Sequence, residues 1–260
     1  MINALQIAST GMRAQQTQLD VISHNLANVS TTGFKRSSAM FEDLIYQNLR
    51  QVGAPNAEQA ELPTGLQLGL GVRTVATART FTQGSLQKTE NQLDVAINGD
   101  GFFQIEMPDG STAYTRDGSF KITAEGRLVN NSGMPVIGAV TIPRDARSVT
   151  IGADGQVTVL VGTNPAPQPA GTITLATFIN PAGLEPRGQN LFTETAASGE
   201  AAVGAPGSEG RGPVLQGFLE SSNVNVVQEL VAMIQTQRAY ELNSRAVQTS
   251  DQMLARLAQI

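Results

Sequence analysis

The sequence predicts an α+β fold. Long N- and C-terminal helices pair as a coiled-coil-like domain, and an antiparallel all-β domain, hairpin-rich and barrel-like, is inserted between them. Three observations predict this. Both ends of the 260-residue chain are nearly free of helix breakers: all 12 prolines lie between Pro55 and Pro213, and most of the 26 glycines fall within residues 95–215. Each end repeats apolar residues at sevens. The middle consists of short β-branched and aromatic runs separated by Asp-Gly pairs.

The first helix spans roughly residues 3–29, where Gly11 is the one glycine. Leu5, Met12, Leu19 and Leu26 recur at sevens, with Ala8, Ile22 and Val29 on the intervening positions and Gln15 interrupting that second series. This is the pattern of a helix that packs lengthwise on another helix. Only Arg13 and Asp20 are charged before Gly33. A lone surface helix carries more charge than this, so the weakly charged faces suit a helix surrounded by copies of itself.

The other end mirrors it from Asn225 onward. Val226, Met233, Tyr240, Val247 and Leu254 recur at sevens, with Leu230 one turn after the first of them. A helix of ~36 residues would run roughly 54 Å, long against the usual mean of about 11–12 residues. The expected seam sets Leu5, Met12, Leu19, Ile22 and Leu26 against Val226, Leu230, Met233, Tyr240, Val247 and Leu254. The competing reading is two ordinary core helices of a single globule.

Between the helices, GFFQIEM, AYT, SFKIT, RLV, SVTI, QVTVLV and TITLATFI read as strands. Asp109-Gly110, Asp117-Gly118, Glu125-Gly126 and Asp154-Gly155 supply tight turns between them. Residues 40–94 read as a connecting subdomain with a long hairpin. There MFEDLIYQNLRQ continues as helix, the following Pro- and Gly-containing stretch is extended, and RTVATARTFTQGSLQKT alternates as strands do. The expected division is 1–36 for the first helix, 37–94 for the connecting subdomain, 95–213 for the β domain, and 214–260 for a connector and the last helix.

Composition removes several function classes. Net charge is −5 with Lys and Arg scattered, which lacks the basic footprint of a nucleic-acid binder. Absence of cysteine excludes disulfides and thiolate metal sites. No apolar run approaches the ~20 residues of a membrane span, and MINALQIASTGMRAQQ lacks the layout of a cleaved secretory signal. His24 is the only histidine, so neither a histidine metal cluster nor a repeated His–Asp relay has its parts. Asn98-Gly99-Asp100-Gly101 opens a strand, whereas a phosphate-cradling glycine loop opens a helix. The Asp-Gly pairs lack the ligand spacing of calcium loops. No catalytic, cofactor or metal residue is expected, and the chain reads as a structural protein and not an enzyme. A secreted adhesin or binding module on a coiled-coil stalk is the alternative class.

Ala27-Asn28-Val29-Ser30-Thr31-Thr32-Gly33-Phe34-Lys35-Arg36 resembles the signature of flagellar rod and hook proteins, carried by Asn28, Thr32, Gly33, Phe34 and Lys35. The physics agrees, because Asn and Thr compete for backbone hydrogen bonds and glycine accepts the left-handed conformation that stops a helix. The stretch from Ser222 to Val226, then MIQTQRAYELNSRAVQTSDQML, is similar to the C-terminal helix of that family. DVAINGDGFF and YTRDGSF are similar to its middle-domain hallmarks. Overall length, both ends and PTGLQLGLGVR are most similar to its distal-rod members, with hook and proximal-rod members as runner-up.

The resemblance implies an axial subunit of the bacterial flagellar basal body. Such a subunit is exported by the flagellar export apparatus without a cleaved signal and polymerises with itself into the periplasm-spanning rod that carries torque to the hook. Its implied partners are neighbouring rod and hook proteins and the ring proteins of the peptidoglycan layer and outer membrane. Terminal helices would form the inner tube, with the β domain outside. The stretch from Tyr46 through Pro55 and Pro63 to Leu66 resembles a segment that stiffens the rod.

Overall fold

The computed structural model describes residues 2–50, 55–57, 60–61, 65–138, 140–162 and 166–257. The chain divides into two compact units, one of Met1–Leu26, Ser37–Ala78 and Asn225–Ile260, the other of Ala27–Arg36 and Arg79–Val224. Two α-helices occur among the described residues, α1 at Ile2–Ala27 and α2 at Val226–Leu257. The architecture is α+β, with the helices at the two ends of the chain.

In the first unit, α2 starts where Asn225 caps it. The Asn225 side-chain oxygen accepts from the main-chain N–H of Val227 (3.0 Å) and Gln228 (3.2 Å), satisfying two of the donors that a helix start leaves open. Glu229 then places a carboxylate in the first turn, the favourable end of the helix dipole. Threonine and serine within the helices bond back to the preceding turn, as Thr236 does to Ala232 (2.8 Å) and Ser250 to Ala246 (2.9 Å). They are polar residues that the helix itself satisfies.

The expected helical continuation over MFEDLIYQNLRQ is corrected by the structure. Ser37–Asp43 is a strand paired with Val72–Arg79, and Tyr46–Arg50 is a strand antiparallel to Leu66–Gly69. Phe41, Leu44, Ile45 and Leu49 do recur at helical spacing, so local pattern favours helix here and only pairing can override it. A partner strand later in the chain decides the outcome. The Tyr46–Gly69 and Gln47–Leu68 pairs form a two-stranded ribbon.

The second unit is antiparallel β throughout its larger sheets. A six-stranded sheet runs in the order Glu185–Gly188, Leu191–Thr193, Thr112–Thr115, Phe102–Glu106, Leu175–Thr177, Ala202–Gly204. A three-stranded meander of Ala146–Ile151, Gln156–Val161 and Gln168–Thr172 accompanies it. Alternation along the strands buries both faces of the six-stranded sheet. Phe103, Ile105, Ala113, Leu175 and Leu191 join the main core with Val95, Ile97, Phe120 and Ile173. Phe102, Tyr114, Ala176 and Phe192 point the other way and meet Phe81 and Phe178. Those rings contact edge to face, Tyr114–Phe178 at 4.8 Å and Phe81–Phe192 at 5.4 Å between centroids.

The barrel-like closure expected from the sequence does not occur. The six-stranded sheet is open, ending in Glu185–Gly188 on one side and Ala202–Gly204 on the other. Closing a sheet requires continuous pairing with a matched stagger. Here one edge strand contains Pro186, which cannot donate to a ladder, and the opposite one is three residues long. The Asp-Gly pairs also divide by role. Asp109-Gly110 turns a hairpin, its carboxylate accepting from the Ser111 N–H at 2.9 Å. Asp117-Gly118 instead brings two segments together, since a Cβ on Gly118 would lie 1.6 Å from the Val95 carbonyl oxygen.

Tyr114 gives the core a pH signature. Burial, then the neighbouring Glu194 carboxylate (3.3 Å from the phenol oxygen), push its ionisation from 10.0 up to about 12. The folded state therefore keeps a proton that the unfolded chain has already released. This contribution to stability is complete below pH 10 and is lost as pH rises toward about 12. Phenolate absorbance at 295 nm should show a late-titrating tyrosine in the folded protein, and Tyr114→Phe should remove that component.

Candidate functional site

The signature that follows α1 is a buried turn in the second unit. Thr31 donates its N–H to the Asn28 carbonyl (3.2 Å), and its hydroxyl meets the Asn28 side chain at 3.2 Å. Gly33 then takes φ +70°. That conformation is costly for residues with a Cβ, and a Cβ there would also lie 2.6 Å from the Asp117 nitrogen and 2.7 Å from the Arg116 carbonyl carbon. The Gly33 N–H donates to the Glu220 carbonyl (2.8 Å), and the Thr32 carbonyl accepts from Asn190 Nδ2 (2.9 Å). Phe34 is buried beside it.

Lys35 turns inward into an ionic cluster. Its ammonium lies 2.6 Å from Glu220 Oε1 and donates to the Thr82 carbonyl at 2.8 Å. The second Glu220 oxygen accepts from Arg116 Nη1 at 3.3 Å, and Oε1 also accepts from the Gly84 N–H at 2.8 Å. All three charged side chains are at most 2% exposed. The Arg116 guanidinium sits over the Phe102 ring, 5.2 Å from its centroid, and its Nε finds no acceptor among the described residues. Burial lowers the pKa of both Lys35 and Arg116, and the Glu220 charge opposes that shift. Reading the sequence singles out Lys35, meets Arg116 only inside the middle-domain stretch YTRDGSF, and passes over Glu220. The available signal is a charge closing each of two otherwise uncharged strand runs, Ala-Tyr-Thr-Arg and Gly-Phe-Leu-Glu.

In the first unit, the inward stripe of α2 is mostly small or polar, with Glu229, Ala232, Thr236, Ala239, Asn243 and Ser250 along it and Met233 and Val247 its larger apolar members. Gln15 and Asn243 meet side chain to side chain at 3.2 Å, so the residue that interrupts the apolar series of α1 is a contact between the helices. A Cβ on Gly11 would lie 3.0 Å from Asn243 Nδ2. Asn25 is fully buried, exchanges two hydrogen bonds with the main chain of Ser37 (2.8 and 2.9 Å), and reaches the buried Glu229 carboxylate at 3.3 Å. Thr10 bonds to the Val72 N–H at 3.3 Å. Gly11, Ala14, Gln18, Phe41, Val72 and Ala239 line a groove of about 410 Å³.

The expected seam residues distribute unevenly around these helices. Ile22 is buried at 1% exposure, while Leu5, Met12, Leu19, Leu26, Met233 and Val247 are half-buried. Val226, Leu230 and Tyr240 lie on an exposed face of α2, together with Val227, Val231, Ile234 and Leu242. The side chain of Leu254 lies outside the described residues. In the ribbon, Tyr46 and Leu66 are exposed alongside Ile45, Leu49 and Leu68. The side chain of Pro55, and Pro63 altogether, lie outside the described residues. Among the described residues no cluster of three or more His, Asp or Glu side chains could hold a metal ion, and no helix is long and apolar enough to cross a membrane.

The signature turn makes a direct test. Gly33→Ala should cost at least ~2 kcal/mol, combining left-handed strain with displacement of the 116–117 backbone. Gly110→Ala, also at positive φ but with open space around its Cβ, should cost only ~1 kcal/mol. Urea unfolding midpoints of the two variants should differ in that order.

Comparison with known proteins accounts for this arrangement. A family model described as flagella basal body rod protein matches residues 5–35, covering α1 and the signature turn. The flagellar hook protein FlgE/F/G D1 domain matches residues 96–159, and the flagellar basal body rod FlgEFG protein C-terminal model matches residues 215–260. The chain is 53% identical over 260 residues to the flagellar basal-body rod protein FlgG of Buchnera aphidicola subsp. Acyrthosiphon pisum, covering all of both chains. It is 50% identical over 256 residues to that of Borreliella burgdorferi, covering 98% of this chain and 97% of the other. It is 39% identical over 265 residues to that of Bacillus subtilis, covering 100% and 99%. These matches show that the chain belongs to the FlgG family of flagellar basal-body rod proteins, structural subunits of the basal body.

Proposed function

We propose that this chain is an axial subunit that polymerises head to tail into the distal part of the flagellar rod and transmits motor torque toward the hook. The observation that carries the reading is the outward apolar face of α2. Val227 is 69% exposed and Leu242 65%, with Val231 and Ile234 about half exposed, on a helix whose inward stripe is mostly small or polar. A stable monomer would have the opposite arrangement. A ridge of large apolar side chains on one side and the small-residue groove at Gly11, Ala14 and Ala239 on another are different patches. Contacts between different patches generate open polymers and not closed dimers.

In this reading Leu5, Met12, Leu19, Ile22 and Leu26 of α1 and Val226, Leu230, Met233, Tyr240, Val247 and Leu254 of α2 form coiled-coil-like contacts within and between subunits. Covering one half-exposed side chain of this size contributes about 1 kcal/mol. Several per subunit, repeated along a filament, offset the cost of ordering each addition. The helices would line the tube, with the β unit outside meeting neighbouring rod and hook proteins and the surrounding ring proteins.

Leu230→Asp should leave the unfolding midpoint of the monomer within about 0.5 kcal/mol of the parent, because the side chain is already exposed. The same variant, as the only copy in the cell, should yield basal bodies that lack the distal rod by electron microscopy. Normal rods from it would refute the assembly face.

The ribbon has a separate role in this reading. Two strands alone are marginal in water, and this pair exposes Ile45, Tyr46, Leu49, Leu66 and Leu68, so it gains stability by lying against neighbouring subunits. Deleting residues 46–66 should give rods that still grow but curve. Equally straight rods in electron micrographs would remove the stiffening role.

A further inference from the structure

The chain passes between its two units at four places, and three of them, next to Arg36, Arg79 and Val224, lie within a few residues of the Lys35–Glu220–Arg116 cluster. The second unit ties these exits together before they leave it. Glu220 is the common partner: its main-chain carbonyl holds Gly33, one carboxylate oxygen holds Lys35 and Gly84, and the other holds Arg116. Asn223 repeats the pattern three residues later. Its side-chain oxygen accepts from the Arg36 N–H at 2.7 Å, while its Nδ2 donates to the Thr80 carbonyl at 2.8 Å and the Thr82 carbonyl at 3.1 Å. The Thr80 N–H closes the ring onto the Arg36 carbonyl at 2.9 Å.

We propose that Lys35, Arg116 and Glu220, seconded by Asn223, form a load-sharing clasp. Tension or torsion that enters the second unit by one exit is passed to the other two instead of peeling a single strand from the sheet. The chemistry suits that task better than stability alone. A buried ion pair contributes little net folding free energy compared with apolar residues of the same volume. Apolar residues would fill the space but would not fix the register of three chain segments against one another, whereas directional bonds to one carboxylate do. Lys35 and Arg116 supply opposing anchors, so Glu220 cannot follow one segment without losing the other. The inference rests on the geometry of the second unit and stands whether or not the polymer is the distal rod.

The test is segment-resolved hydrogen exchange on the full-length monomer. Glu220→Gln keeps the size and one acceptor but removes the anion. It should speed exchange at Gly84, whose N–H bonds the carboxylate, by about tenfold relative to the strands Phe102–Glu106 and Thr112–Thr115, as expected for weakening a bond to a charged group, and should speed Gly33 and Arg36 in the same direction as the tied segments loosen. Ile173→Val, chosen to lower global stability without touching the cluster, should speed all these segments together. Lys35→Gln, which leaves the Gly84 and Arg116 bonds to Glu220 in place, should act in the same direction as Glu220→Gln but less strongly, and serves if that variant does not fold. Exit amides that exchange as in the parent, or that move only in step with the sheet as in Ile173→Val, would overturn the clasp.

Discussion

A single buried carboxylate organises the second unit. Glu220 lies out of water between two cations, and its Oε1 also accepts the Gly84 N–H from a third stretch of chain. Burying three charges is expensive, and the expense is tolerable only because the opposite charges touch and the hydrogen bonds are made. That requirement constrains much else. Gly33 must turn left-handed to bring Lys35 inward, Gly84 must lack a side chain because a Cβ there would meet the Ser221 carbonyl at 1.9 Å, and Phe102 must offer its ring to Arg116. The helix-terminating signature is thus a consequence of the cluster as much as of α1.

The first unit follows the reverse economy. Its helices meet through Gln15, Asn25, Asn243 and Glu229, with Gly11 and Ala239 keeping the approach close. Large apolar side chains remain on the outside of α2. Polar contacts of this kind specify which residues face each other but supply little free energy, so the helical unit of the monomer is under-stabilised while its surface is primed for burial elsewhere. The β unit, with its two-sided core, supplies the folded stability that the helices lack.

The two kinds of interface also suit a part under mechanical load. Apolar ridge-and-groove contacts are non-directional and tolerate slight sliding between subunits. Directional ionic and hydrogen bonds do not slide, and here they sit where chain segments leave the β unit. In the proposed polymer, stiffness within the subunit and adaptability between subunits would come from different chemistry at different residues.

How much of this was legible in the sequence depends on the range of the interaction. The terminal helices, the antiparallel middle and the family resemblance could be read from local pattern: breaker-free ends, sevenfold apolar spacing and a helix-stop signature. Local pattern erred where pairing partners lie far away, as in residues 40–43 and Tyr46–Arg50, whose strand state depends on Val72–Arg79 and Leu66–Gly69, and in the openness of the main sheet, which turns on Pro186 at one edge. Periodicity also marks an apolar stripe without saying what it faces. Only the tertiary structure turned the Gln15 and Asn243 side toward the partner helix and left Leu230 outward. Nor could spacing join Lys35 to Arg116 and Glu220, because charges 81 and 185 positions away in the chain become neighbours only after the sheet has formed. The sequence by itself determined the two terminal helices and the antiparallel β middle; the fold decided the pairing of the strands after α1 and which side chains share a buried space, since burial of charge is a property of three dimensions and not of order along the chain.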